Sequence, residues 1–266
     1  MPPVELAYEH YGEQHSGCPL IILHGFFGSS RNWRAIAQRL AADYPVYVLD
    51  MRNHGLSPHA PEMDYPSMAE DLAFFMERLN LSRAHILGHS MGGKIAMWFA
   101  LQQPERVENL LIADISPVSY AHSFENLIQA LKNLPLHELG NRKQADIWLE
   151  PYISESPYRQ FLLQNLAFQD GNYYWRVNLD YFLDNAGFIA AFPELENIQP
   201  YPKPVLFLAG ETSDYIDKDA LYHLFPNSVV LTIPGAGHWL HTQAPQQFYQ
   251  AVIDWLNPAP TTPADF

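Results

Sequence analysis

Apolar positions fall into two rhythms along the chain. Short, almost wholly apolar runs, Leu20 to Leu23, Val46 to Leu49, Ala84 to Leu87, Leu110 to Ala113, Val205 to Leu208 and Val229 to Ile233, alternate with amphipathic segments. A run that is apolar at every position suits a strand buried on both faces, as in a parallel sheet with helices on either side. Ser67-Met68-Ala69-Glu70 has the form of a capping box ahead of Leu72, Phe75, Met76 and Leu79, which recur at helical spacing. A last helix passes through Phe248, Val252 and Trp255. The pattern predicts an α/β fold, a mostly parallel sheet flanked by helices.

The alternation breaks once. Residues 118–200 contain no convincing strand pattern and are rich in aromatics and helix formers. Leu127, Leu131 and Leu134 suggest one helix, Ile147, Trp148 and Tyr152 a second, Phe161, Leu162, Asn165 and Leu166 a third, with Tyr181, Phe182, Phe188 and Phe192 near a fourth. The expected organisation is a core of residues 1–117 and 201–266 with a helical cap of residues 118–200 over the carboxyl edge of the sheet, where open α/β folds hold ligands. The tail Pro258-Ala259-Pro260-Thr261-Thr262-Pro263 reads as loose, and no internal repeat is present.

Composition narrows the partners. The chain has 266 residues, 15 Lys plus Arg against 29 Asp plus Glu, and a formal net charge of -14. Such a surface repels phosphate backbones and anionic lipid, so no nucleic-acid or membrane partner is expected. The lone Cys18 rules out an internal disulfide, the first residues lack a basic head and apolar run, and no apolar stretch approaches the roughly 20 residues of a spanning helix. A cytoplasmic location is expected; monomer and dimer both remain open.

Three motifs carry chemistry. Ala84 to Leu87 is a predicted strand, Gly88-His89-Ser90-Met91-Gly92 a turn, and Gly93 to Leu101 a helix, which is G-x-S-x-G in its required setting. The glycines permit a tight corner that exposes the Ser90 hydroxyl, while the helix start offers free N–H groups to an oxyanion. Leu23-His24-Gly25-Phe26-Phe27-Gly28-Ser29, after the first apolar run, fits the loop that supplies a second oxyanion donor, so the N–H groups of Phe26 and Met91 are paired in that role. His24 is read as structural. Pro234-Gly235-Ala236-Gly237-His238-Trp239 follows the last predicted strand and places a glycine-flanked histidine where a mobile general base belongs; His241 is a decoy. No metal-ligand spacing such as H-E-x-x-H is present.

With these motifs placed, the sequence resembles the α/β-hydrolase superfamily from Leu20 to about Leu256. His24 to Ser29, Asp50-Met51-Arg52-Asn53-His54-Gly55, Gly88 to Lys94 and Asp114-Ile115-Ser116-Pro117-Val118 are similar to its carboxylesterase and acyl-CoA-esterase branch. The resemblance implies an eight-stranded core, a helical cap, a Ser-His-acid triad and no cofactor, with Asp50 to Gly55 a structural loop beside the site. It also bears on the acid. Most of the superfamily places it after the strand ending in Leu208-Ala209-Gly210, where Ser213 and Asp214 stand; the branch resembled uses the aspartate matching Asp114 and keeps a supporting serine, here Ser213. Asp114 is favoured and Asp214 remains the alternative.

The function expected is a serine carboxylesterase acting on short- to medium-chain acyl esters through an acyl-enzyme, with a small-molecule ester and water as its reactants. Thioesterase or acyl-CoA esterase, perhydrolase, lactonase, C–C hydrolase and acyltransferase chemistry are alternatives on the same parts, and a ligand receptor that keeps the fold without turnover is a remote one. Tyr120, Trp148, Trp175 and Trp239 are candidate pocket residues, with Tyr173 and Tyr174 nearby. Within residues 118–200 the paired basic site is Arg142-Lys143, so neutral apolar acyl groups are expected to outperform charged ones.

Overall fold

A computed structural model describes residues 2–121, 123–196 and 198–258, so that Ala259 to Pro263 of the expected loose tail lie outside the described residues. The six apolar runs all become strands of one sheet. Its strands are β1 (Tyr8–Tyr11), β2 (Leu20–Leu23), β3 (Val46–Leu49), β4 (Ala84–His89), β5 (Val107–Ala113), β8 (Val205–Gly210) and β9 (Ser228–Ile233), in the order β1-β3-β2-β4-β5-β8-β9; a separate hairpin holds β6 (Leu166–Gln169) and β7 (Asn172–Trp175). Every pairing in the large sheet is parallel except β1 with β3. Every residue of β2, β4 and β8 is buried, as continuous apolar runs require, whereas the edge strand β9 exposes Val229 and Leu231.

The sheet has seven strands among the described residues, where the resemblance implied eight. After β1 the chain turns at Gly12, with φ 75°, so tightly that a Cβ there would lie 2.2 Å from the Tyr44 carbonyl oxygen. It enters β2 directly, leaving β1 as the antiparallel edge on β3. The short, half-polar Tyr-Glu-His-Tyr of β1 carries no buried-strand signature, which is why the apolar pattern passes over it.

The helices are α1 (Ser30–Leu40), α2 (Tyr65–Arg78), α3 (Met91–Gln102), α4 (Glu125–Lys132), α5 (Arg142–Leu149), α6 (Ser156–Leu162), α7 (Leu179–Asp184), α8 (Ala186–Ala190), α9 (Lys218–Leu224), α10 (Leu240–Gln243) and α11 (Pro245–Leu256). The expected capping box at Ser67 is displaced. Helix α2 begins at Tyr65 because Asp64 caps it, accepting the Ser67 N–H at 2.7 Å, and Pro66 is tolerated in a first turn whose N–H groups lack helical partners.

Between β5 and β8 the chain forms α4 to α8, and also the β6–β7 hairpin that the helical reading missed. Asp170 and Gly171 join its strands with φ of 49° and 82°, the left-handed pair of a two-residue hairpin turn. The Asp-Gly signal was present; the aromatic helix pattern around it masked the change of period. The insertion is stapled over the carboxyl ends of the strands. Asn165 Nδ2 donates to the Phe27 carbonyl at 2.8 Å, Asn185 Oδ1 accepts the Met63 N–H at 3.0 Å, and the Tyr65 hydroxyl donates to Ile189 O at 2.7 Å.

Burial sorts the histidines. His24, His54, His89 and His241 are buried, and desolvation lowers the pKa of each, His241 to about 3. The His241 ring stacks on Trp33 at 4.0 Å between centroids, with no hydrogen-bond partner for its Nδ1 among the described residues. In the unfolded chain these rings regain an ordinary pKa near about 6.5, so below that pH the unfolded state binds more protons than the folded one. Stability contributed above about pH 6.5 is therefore lost as the pH falls. The melting temperature should drop on going from pH 7.5 to 5.5, and His241→Phe, which keeps the stacked ring and removes one titrating group, should make that drop smaller. An equal drop in wild type and variant would contradict this account.

Candidate active site

The corner between β4 and α3 is built by backbone contact. A Cβ on Gly88 would lie 2.3 Å from the Gly92 oxygen, and one on Gly92 would lie 2.3 Å from the Leu23 oxygen at the end of β2. Only glycine permits that approach. Between the two, Ser90 takes φ 52° and ψ -119°, a conformation costing on the order of 1–3 kcal/mol for a non-glycine residue. It is held there by its own N–H on Ala113 O and by the Lys94 N–H on its carbonyl, both at 3.1 Å. Among the described residues six non-glycine positions have positive φ, and Phe27, Ser90 and Asp114 all belong to this edge of the sheet. Strain is concentrated where side chains must be aimed.

His238, in the loop between β9 and α10, brings two of these elements together. Its Nδ1 lies 2.8 Å from Asp114 Oδ2, and its Nε2 lies 3.0 Å from Ser90 Oγ. A carboxylate only accepts, so Nδ1 carries the proton, and Nε2 is left to accept the serine hydroxyl. Asp114 directly follows β5 with φ 53° and is 1% exposed. Its other oxygen accepts the Gly210 N–H at 2.9 Å, and Ser213 donates its hydroxyl to Oδ2 beside the imidazole. Asp214 is exposed and makes no hydrogen bond to His238 among the described residues. The Tyr215 ring covers one face of His238 at 4.3 Å, and His89 Nε2 donates to the His238 carbonyl at 2.8 Å.

The loop after β2 faces Ser90. A Cβ on Gly25 would lie 3.0 Å from His89 Nδ1 and 3.2 Å from Ser90 Cβ, so a side chain there would crowd both. The N–H groups of Phe26 and Met91 have no protein acceptor among the described residues. Both buried imidazoles nearby hold backbone. His24 accepts the Met51 N–H on Nε2 at 3.0 Å and donates from Nδ1 to Gly25 O at 2.8 Å. His54 accepts the Phe27 N–H at 3.2 Å and donates to Arg52 O at 2.9 Å. Asp50 accepts the N–H groups of Ser30 and Leu56, fixing the start of α1 against the same loop.

Above Ser90 lies a cavity of about 230 Å³ whose wall includes Ser90, His238, Tyr120 and Trp239. Trp148 and Trp175 do not reach it, which corrects the expectation from aromatic content. Trp148 stacks on the exposed Tyr152 at 5.0 Å, and Trp175 Nε1 donates to Leu131 O at 3.1 Å, so both engage neighbours within residues 118–200. Arg142 likewise turns away to donate to the Leu166 carbonyl. The wall instead takes Tyr65, Phe124, Tyr158, Phe161, Tyr215 and Lys94, which the sequence reading left out. Tyr158 and Phe161, three apart on α6, carry a helical-face signal; Lys94 is four residues past Ser90 and so shares its side of α3.

The sequence profile of the alpha/beta hydrolase fold matches residues 19–245. The sn-1-specific diacylglycerol lipase ABHD11 of Danio rerio is 39% identical, the match covering 96% of this chain and 84% of that protein. Esterase YbfF of Escherichia coli is 34% identical over 92% of this chain and 95% of its own length. A solved marine microorganism esterase superposes with a TM-score of 0.89 at 43% identity, covering 94% of this chain and 99% of that one. Matches of that extent carry the same conclusion as the strand order and the corner after β4: the chain belongs to the α/β-hydrolase family, among its esterases and lipases, and is a carboxylic ester hydrolase.

Proposed function

We propose that the protein is a serine carboxylesterase of short- to medium-chain acyl esters, with Ser90 as nucleophile, His238 as general base and Asp114 as the acid that orients it. The observation that carries this reading is the single imidazole bridging Ser90 Oγ at 3.0 Å and Asp114 Oδ2 at 2.8 Å. Ser90 Oγ attacks the acyl carbonyl while His238 Nε2 takes its proton. The unengaged N–H groups of Phe26 and Met91 receive the oxyanion. Collapse expels the alcohol, protonated by His238, and water activated by the same nitrogen releases the acid. Residues 118–200 act as the cap that closes the cavity over this chemistry. A cavity of about 230 Å³ with an apolar, aromatic wall suits a short acyl chain.

Ser90→Ala should abolish hydrolysis of a chromogenic ester while leaving the melting temperature near that of the wild type, because the hydroxyl supplies a nucleophile and little buried area. Turnover near the wild-type rate would overturn the nucleophile assignment.

The acid is tested separately. Asp114→Asn should lower kcat by about 10³- to 10⁴-fold with a modest change in KM, the scale of neutralising a triad acid. Ser213→Ala removes one hydrogen bond to that carboxylate and should cost an intermediate amount, whereas Asp214→Asn should cost about tenfold or less. Steady-state kinetics of the three variants, with folding checked by circular dichroism, decides the matter. A crippled Asp214→Asn beside a near-normal Asp114→Asn would move the acid to the end of β8.

A further inference from the structure

Three cations among the described residues are almost wholly buried, and one of them stands apart. Arg52 pairs with Asp71 at 2.6 Å and Arg159 with Asp146 at 2.8 Å. Lys94, 1% exposed, has no carboxylate within 4.0 Å among the described residues, although the chain carries 29 acidic side chains. Its Nζ donates to the carbonyls of Ala190 and Ala191 at 2.9 and 2.6 Å and lies over the rings of Tyr120 and Tyr65, at 4.8 and 5.6 Å from their centroids. Lys94 and the groups around its ammonium, Tyr65, Tyr120 and Ala190, all line the cavity above Ser90. Burying a cation without a counter-ion is costly, and a methionine of similar length would fill the space without that cost. An ammonium has three donors, and the two carbonyls take two of them.

We propose that Lys94 is the anchor for a carboxylate at the far end of the acyl group, so that the preferred substrates are half-esters of short dicarboxylic acids. The proposal rests on the reading of Ser90 as nucleophile, since it places the acyl carbonyl at one end of the cavity and the free carboxylate at the other. Lys94 lies one turn of α3 beyond Ser90, a rise of about 6 Å, and extends from there into the wall. A cavity of about 230 Å³ shared by Ser90 and Lys94 has room for a short acyl chain ending in a carboxylate. This departs from the expectation that neutral acyl groups are preferred, which rested on the aromatic content of residues 118–200 and the scarcity of basic residues there.

The charge on Lys94 also sets a pH dependence. Burial lowers its pKa to about 7, and among the described residues the groups facing it are the Tyr65 ring from α2, the Tyr120 ring from the segment after β5, and the Ala190 and Ala191 carbonyls at the end of α8, none of them a carboxylate or an imidazole. The ammonium is present below about pH 7 and lost above it. Preference for the anionic ester should therefore be largest at pH 6 and decline by pH 9, with a bound carboxylate moving the midpoint upward.

The test compares monomethyl glutarate with dimethyl glutarate, which match in length and differ in the charge at the far end. Wild type should favour the monomethyl ester in kcat/KM, and Lys94→Met should lower the ratio of the two kcat/KM values by about 10- to 100-fold, a quantity independent of the amount of folded enzyme. Ser90→Ala, which retains Lys94, should bind monomethyl glutarate more tightly than the dimethyl ester by titration calorimetry, with the difference shrinking from pH 6 to pH 9. Wild type that favours the dimethyl ester, together with a ratio unmoved by Lys94→Met, overturns the anchor while leaving the nucleophile in place. Selective binding by a Ser90→Ala variant that still hydrolyses ester upholds the anchor and removes the nucleophile instead.

Discussion

Backbone packed against backbone at the carboxyl edge of the sheet is the constraint on which the rest depends. Gly92 brings the first turn of α3 onto the end of β2, Gly88 brings the end of β4 onto that same turn, and a Cβ on Gly210 at the end of β8 would lie 2.3 Å from the Gly237 oxygen beside His238. These contacts leave no freedom of a side-chain width between the ends of β2 and β4, or between the end of β8 and the loop after β9. The strained torsions of Ser90 and Asp114 persist because this packing over-determines them. Rigid loops in turn fix the two hydrogen bonds of the His238 imidazole, and with them its tautomer.

The same edge shows how one chain assigns different tasks to chemically identical side chains. His24, His54, His89 and His241 are buried deeply enough that desolvation keeps them neutral, and the first three spend ring nitrogens on backbone groups: the loop after β2 for His24 and His54, the His238 carbonyl for His89. His238 alone combines partial exposure, 20% of its side chain, with a buried carboxylate behind it and a serine before it. Environment therefore separates the one imidazole that bridges a serine and a carboxylate from the four buried rings beside it. Lysine is divided the same way: Lys132 at the surface meets Asp180, while Lys94 lines the cavity with no carboxylate beside it among the described residues.

Placing the carboxylate after β5 instead of after β8 has a geometric basis in the register of the sheet. Ala113 pairs with Leu208, so the two strands reach the carboxyl edge together and either could present an acid. The left-handed turn at Asp114 sends its carboxylate across to the Gly210 N–H, which fills the space at the end of β8. Ser213 occupies the remaining position and donates to the same oxygen that meets the imidazole. Asp214, one residue further on, is directed to solvent.

Sequence alone determined the parts whose chemistry is local. The all-apolar runs specified buried parallel strands, because a strand covered on both faces has no polar position to offer. Gly88 to Gly92, His24 to Gly28 and Gly235 to His238 were legible because a tight corner, a backbone donor loop and a glycine-flanked base each need their residue types within a few positions of one another. What required the tertiary structure was every relation that depends on where a face points. Spacing alone leaves both Asp114 and Asp214 able to meet the histidine, with Asp114 favoured by resemblance, and the left-handed turn after β5 is what carries its carboxylate there. Trp148 and Trp175 look as suitable for a pocket as Tyr158 and Phe161, yet the docking of the insertion leaves the first pair among neighbours within residues 118–200 and turns the second toward Ser90. Lys94 reads as a polar residue on a short helix until the fold buries it without a counter-ion. Composition reports which side chains exist; packing direction, set by contacts distant in sequence, decides which of them meet.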